Sequence, residues 1–299
     1  MQKDNNLKSY LNLHLIVFIW GFTAILGELI TVKEESVVWY RMLMAGIFML
    51  LYVLITKKPW RIPRKSFFQL IGVGLLIALH WIFFFKAINV SNVSITLAVF
   101  STGAFFASIL EPIFFNRKML WYEVFFGLII IGGLLMIMQV ETRYILGMVY
   151  ALISVFLGVM FTLFNGKLIR EYDPSVITLY EFFAGVFFVS LYLLYGRKFT
   201  PEFFTVSLND WILLLILSSV CTAYAFTASV NVMKKLTPYT VMLTTNMEPV
   251  YGIMLAYFIL GDKEKMSPAF YIGALIILAT VILNGILKNY KSKKSLQVD

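Results

Sequence analysis

The sequence predicts an all-α integral membrane protein in which ten transmembrane helices form two inverted five-helix repeats. Three observations carry that prediction. Of 299 residues, 60% are hydrophobic and only 14% are charged, too little polar surface for a soluble chain of this length. Apolar stretches of about 17 to 23 residues recur from end to end, each long enough to cross a hydrocarbon core about 30 Å thick. Residues 22–46 also align without a gap on residues 161–185. Phe22-Thr23 matches Phe161-Thr162, and Gly27, Leu29 and Ile30 match Gly166, Leu168 and Ile169. Ser36 matches Ser175, and Ala45-Gly46 matches Ala184-Gly185.

The spans are predicted near 11–31, 36–56, 67–87, 93–115, 120–139, 145–167, 174–195, 209–231, 236–259 and 269–287. Helix is required because backbone polar groups in lipid need partners within their own segment. A barrel would show short alternating segments, and these runs are continuously apolar. The first span follows a polar start, Met1 to Tyr10. It is too long for a signal h-region and lacks a small-residue cleavage site, so no cleavable leader is expected. The second span opens on Trp39-Tyr40-Arg41, the third holds His80-Trp81, and the fourth holds Thr102 and Glu111-Pro112. The fifth is glycine-rich from Gly127 to Gly133, which suits close helix approach in lipid. The sixth and seventh repeat the first and second. The eighth contains Cys221, the single cysteine, so no disulfide framework is expected. The ninth holds Asn246 and Glu248-Pro249, and the tenth is again glycine-bearing, at Gly273. The first repeat is residues 1–142 and the second 143–299. Five spans per copy is an odd number, so the copies face opposite ways, the arrangement of secondary transporters.

Charge placement orients the chain. With both termini in the cytoplasm, the outer loops hold six basic residues, Lys33, Arg143, Arg197, Lys198, Lys263 and Lys265, against seventeen inside. That is the positive-inside pattern. The net charge of +9 is thereby explained by topology and attraction to anionic lipid rather than by nucleic acid.

Local patterns extend the reading. They include Trp20-Gly21 in the first span, Trp39-Tyr40-Arg41, and Glu248-Pro249-Val250 followed by Leu260-Gly261-Asp262. With the five-plus-five organisation, these resemble the drug/metabolite transporter superfamily, specifically its ten-span EamA-type members, over nearly the whole chain. Family sequences commonly carry Gly-Glu where this chain has Gly261-Asp262. The first copy departs further, with Asn116-Arg117, and with Gly103-Ala104-Phe105 where a proline is usual. The resemblance implies alternating access, often export of amino acids, nucleobases or other small metabolites. It also implies a central cavity lined mainly by spans 1, 3, 4, 6, 8 and 9, with spans 5 and 10 peripheral.

Ionisable groups within spans are costly and mark function. Glu248, deep in the ninth span beside Pro249, is a candidate for binding a proton or an amine. His80 is a candidate to assist it, because imidazole titrates near neutral pH when solvated. The alternative for both is a hydrogen-bonded structural role. Trp20, Trp81, Phe84, Phe100, Tyr150 and Tyr224 are candidates to line the cavity, where aromatic walls would suit a flat or ammonium-bearing substrate. Packing is the competing reading for each. Thr23, Thr102, Thr162 and Asn246 would supply hydrogen bonds. Glu28 with Arg41, and Lys167 with Glu181, fall as one opposite-charge pair near each face, either gate latches or static neutralisation. Glu111 reads as structural, reaching water or Arg117, and Lys86 is expected to snorkel to the outer interface.

No P-loop, metal-ligand spacing or nucleophile elbow is present, so neither an enzyme nor a bound cofactor is expected. The expectation is a secondary transporter, an exporter of small metabolites such as neutral or aromatic amino acids, working by alternating access. Proton coupling and uncoupled diffusion both suit these residues. The alternative is a membrane sensor or structural protein that keeps the transporter fold without transport. The expected partners are a small-molecule substrate, the lipid bilayer and protons, with no nucleic acid. The expected setting is a bacterial inner membrane, as monomer or homodimer.

Overall fold

In the computed structural model, which describes residues 2–295, every element of regular structure is helical; among the described residues there is no strand. The side chains of Lys3, Lys263, Lys288, Lys291, Lys293 and Lys294, which entered the charge count, lie outside the described ones. In chain order the helices are α1 (Gln2–Leu29), α2 (Glu34–Ile55), α3 (Arg64–Val90), α4 (Val93–Phe100), α5 (Gly103–Phe115), α6 (Trp121–Val140), α7 (Ile145–Leu168) and α8 (Pro174–Tyr195). There follow α9 (Pro201–Phe204), α10 (Leu208–Ser218), α11 (Ala225–Val232), α12 (Pro238–Thr245), α13 (Glu248–Leu260) and α14 (Pro268–Ser295). A π-helical turn, Ser219–Tyr224, joins α10 to α11.

Among the described residues, eight segments are long and apolar enough to cross a membrane: Leu7–Leu29, Glu34–Ile55, Arg64–Val90, Val93–Phe115, Trp121–Gln139, Thr142–Leu168, Pro174–Tyr195 and Leu208–Val232. The expected ninth span is helical but falls short of that measure: Thr244, Thr245, Asn246 and Glu248 interrupt the apolar run where the helix breaks between α12 and α13. The expected tenth span lies within α14, whose stretch Pro268–Thr280 is apolar. Three of the expected spans are also interrupted: the fourth at Ser101-Thr102, the eighth by the π turn and the ninth at Asn246-Met247, beside the proline where a kink is expected.

Local chemistry explains the ends. Asn92, Asp173, Ser207 and Thr237 cap α4, α8, α10 and α12, their side-chain oxygens accepting backbone N–H groups of the first turn. Left-handed residues follow four helices: Lys57 after α2, Asn116 after α5, Arg197 after α8 and Gly261 after α13.

Packing in a bilayer depends on close approach. α3 packs against both α7 and α8, α2 against α8, α1 against α13, and α6 against α14. Gly74 on α3 lies so near α8 that a Cβ there would stand 2.5 Å from the Glu181 carbonyl oxygen. Gly133 and Gly273 bring α6 and α14 together reciprocally, each within 3.2 Å, by an added Cβ, of the other's carbonyl oxygen.

Polar contacts fasten the helix ends. At one end, Lys58 pairs with Asp173 at 2.5 Å, and Tyr180 Oη donates to the Trp60 carbonyl at 2.9 Å. Arg117 bridges Glu111 and Glu123 at 2.8 and 3.0 Å, so Glu111 has the structural partner that the sequence suggested. Glu111 also accepts the Tyr239 N–H at 2.9 Å, at the start of α12. At the other end, Asp210 accepts from Thr31 N–H and Oγ1 at 2.8 and 2.7 Å, Glu35 pairs with Lys198, and Glu264 accepts the Val93 and Ser94 N–H groups at 3.0 and 2.8 Å.

Candidate functional site

A cavity lies where α1, α2, α3, α4, α7, α11, α12 and α13 converge, with about 90 Å³ of open space. Nine of the candidates for substrate contact line it: Trp20, Thr23, His80, Trp81, Phe84, Phe100, Thr162, Asn246 and Glu248. Helical spacing places them: Trp20 and Thr23 lie one turn apart on α1, as His80 and Phe84 do on α3.

His80 is held by α7. Its Nδ1 lies 2.7 Å from the Ser154 carbonyl oxygen, and Ser154 Oγ donates back to the His80 carbonyl at 2.7 Å. A carbonyl only accepts, so Nδ1 carries the hydrogen and Nε2 of the neutral ring is left as an acceptor. Phe84, Phe100 and Phe161 surround the ring, and Gly158 leaves room for it: a Cβ there would stand 3.2 Å from the imidazole. Trp20 is fixed by its indole N–H, which donates to the Cys221 carbonyl in the π turn at 3.2 Å. Thr162 Oγ1 donates within its own helix to the Gly158 carbonyl at 2.8 Å. Thr23 Oγ1 has the Cys221 sulfur as its polar neighbour, and Asn246 Nδ2 makes no hydrogen bond. Glu248 is buried on the first turn of α13, directly after the helix break.

Arg41 departs from its expected place at an outer gate. It sits two turns below the start of α2 and turns into the cavity wall, 2% exposed. Its Nε donates to Thr222 Oγ1 at 2.6 Å, and its guanidinium carbon lies 3.9 Å from the centre of the Trp81 ring. Nη1 has no hydrogen-bond partner. Glu28 remains half-buried in the last turn of α1.

The second expected latch is not formed. Lys167 is exposed over the Phe114 ring at 5.0 Å, whereas Glu181 is fully buried. Its hydrogen-bond partner is Asn165, whose Nδ2 donates to Glu181 Oε2 at 3.4 Å. Asn165 and Lys167 are two residues apart on α7 and so face opposite sides. Glu181 Oε1 and Asn165 Oδ1 are left without partners.

Three further candidates lie off the cavity. Thr102 is buried at the α4–α5 break, where its Oγ1 donates to the Val99 carbonyl at 2.8 Å. Tyr150 packs near Phe83 and under Lys86, whose Nζ is 5.1 Å from the ring centre. Tyr224 is 48% exposed and faces a second groove with Tyr52, Lys58, Asp173 and Lys234. Conversely, sequence reasoning missed Phe161, Asn165, Phe226 and Ser229, which line the cavity. A signal existed for Asn165: Gly158, Thr162 and Asn165 recur at four and three residues, one helix face. Among the described residues no His, Cys, Asp and Glu cluster is suited to a metal.

A multi-pass helical membrane protein with a buried, mixed polar and aromatic cavity where its helices converge belongs to the class of membrane transporters. The chain belongs to the EamA-like transporter family, whose model matches residues 7–139 and 145–286. It is similar to an uncharacterized transporter of Archaeoglobus fulgidus, 25% identical over 93% of this chain and 97% of the relative. It is also similar to the uncharacterized transporter YxxF of Bacillus subtilis, 19% identical over 98% and 96% of the two chains. A solved crystal structure superposes with a TM-score of 0.71 over 94% of this chain and 97% of that one. At 15% identity that likeness concerns the fold alone.

Proposed function

We propose that the chain is a secondary transporter that exports small metabolites, such as neutral or aromatic amino acids, by alternating access. Ten spans form two inverted halves, residues 1–142 and 143–299, in a cell inner membrane with both termini cytoplasmic. The observation that carries this reading is the cavity, built from both halves and holding buried polar groups that the packing leaves unsatisfied.

Contacts support the inversion. Exchanging the halves turns the α1–α13 contact into that of α7 with α5, and the α4–α13 contact into that of α12 with α5; both occur. Left-handed residues recur at matching ends, Lys57 with Arg197 and Asn116 with Gly261. Glu111, within α5, caps the start of α12 in the other half, and Glu264, following α13, caps the start of α4. These two caps lie at opposite ends of the bundle, as a twofold axis in the membrane plane requires. The two consecutive stretches matched by the family's model point the same way.

Glu248 takes a proton or an amine, and His80 assists through Nε2. Purified protein in proteoliposomes, supplied with labelled amino acids and related metabolites with and without a pH gradient, tests the reading. Saturable flux is expected, and Glu248→Gln removes any dependence on the gradient. A panel that yields binding but no flux would favour a sensor that kept the fold.

A further inference from the structure

Resting on that transporter reading, we infer that Arg41 and Asn246 form an anchor for the carboxylate of the substrate, so that the cargo is a monocarboxylate with an apolar body. A buried guanidinium is costly unless its N–H groups and its charge are engaged. Thr222 takes Nε, and the Trp81 face supports the plane, but Nη1 has no hydrogen-bond partner. The ion pairs of the described residues do not include one between Arg41 and Glu248, although both line the cavity.

A second observation is independent of the first. Asn246, at the break between α12 and α13 and 3% exposed, also lines this space, and its Nδ2 donor is unpartnered. Two unsatisfied donors, one of them cationic, call for an anionic oxygen ligand. Arginine's planar fork matches a carboxylate. A phosphate dianion fits less well, because Arg41 is the one lining residue with a guanidinium or ammonium, His80 Nδ1 is already engaged by the Ser154 carbonyl, and the Glu248 carboxyl shares the cavity. The remaining wall is apolar and aromatic, with Phe84, Phe100, Phe161 and Phe226, and selects a hydrophobic body. Glu248 then receives an ammonium where the substrate has one.

The anchor is tested on the full-length protein in detergent, using L-phenylalanine, L-leucine, 3-phenylpropionate and 4-methylpentanoate, each against its carboxamide. Binding is read by calorimetry and flux in proteoliposomes. At least one acid is expected to bind at least tenfold tighter than its amide. R41Q brings acid and amide to the same affinity, and R41K keeps a reduced preference. Should R41Q fail to fold, N246D is expected to weaken acids more than amides and so shrink the acid preference. Equal binding of acids and amides by the wild type overturns the proposal. So does an acid preference that survives in R41Q or is unaffected in N246D, or the failure of every acid to bind. Equal flux of acids and amides removes the anchor and leaves transport standing. Acid-selective binding without flux keeps the anchor and removes transport.

Discussion

Two helices of this protein break in comparable places, and they differ in what they do with the break. Between α4 and α5 the polar groups are satisfied locally: Thr102 Oγ1 donates to Val99, and the Phe105 and Phe106 N–H groups return to the Thr102 carbonyl. Between α12 and α13, Thr244 and Thr245 also bond within their helix, but Asn246 Nδ2 stays unpartnered and Glu248 opens the next turn inside the cavity. The backbone device is present twice, but of the two breaks the second is the one whose polar side chains line the cavity. In lipid, an irregular backbone is tolerated where it is covered by protein or lines a cavity, and the two breaks illustrate the two cases. A duplicated fold can thus hold a site that is not duplicated.

The largest expected effect strikes the second break. Glu248→Leu should lower flux by about 10- to 100-fold, equivalent to about 1–3 kcal/mol for a lost buried polar contact. Thr102→Val, at the first break, should leave flux within about threefold, since its hydroxyl serves only its own helix. Equal losses in the two variants would remove the distinction between the breaks.

Next comes stability. An added Cβ at Gly21 would stand 3.1 Å from Tyr251 Cβ and 3.2 Å from the Gly252 nitrogen, so α1 and α13 would have to separate. Gly21→Ala should therefore cost about 1–3 kcal/mol, the usual price of overpacking. At Gly103, beside the first break, the nearest atoms are the Met242 and Val155 methyl tips at 3.0 and 3.1 Å. The flexible methionine yields, and Gly103→Ala should cost less than about 1 kcal/mol. Thermal unfolding in detergent measures both; a smaller loss at Gly21 than at Gly103 would contradict the packing described for α13.

The smallest effect lies outside the spans, at the tie between Lys58 and Asp173. Burial works against ionisation of Asp173, but the Lys58 ammonium and the Ser175 N–H outweigh it and hold the carboxyl below its usual range. A lowered folded value means that this stability is present above the unfolded pKa and is lost as pH falls through the folded one. Both groups are about a quarter exposed, so Asp173→Asn should cost at most about 1 kcal/mol at pH 7. An acid-side melt should show the wild type converging on the variant; a constant gap down to strongly acidic pH would contradict the assignment.

The sequence displayed the helices well because lipid enforces continuous apolar runs, and much of the cavity because polar and aromatic residues stand out against them. It failed on Arg41 and Glu181 for a shared reason. Distance from a helix end gives depth, but the direction of a long side chain depends on its neighbours. Arg41 is drawn inward by Thr222 and Trp81, and Glu181 by Asn165, none of them adjacent in sequence. Tyr150 and Tyr224 failed similarly, since composition does not say which face of a helix meets lipid. The Thr222 contact depends on the π turn of residues 219–224, a departure from α-helical period that no hydrophobic pattern marks.

Cys221 is the single native cysteine, so thiol reactivity can be placed at will. In a Cys221→Ala background, Asn246→Cys and Thr102→Cys are to be treated with a membrane-impermeant maleimide from the outside and, in inverted vesicles, from the inside. Alternating access to a site at the second break predicts that the N246C variant is labelled from both sides, and the T102C variant from neither. Labelling of the N246C variant from one side alone, or of both variants alike, would contradict it.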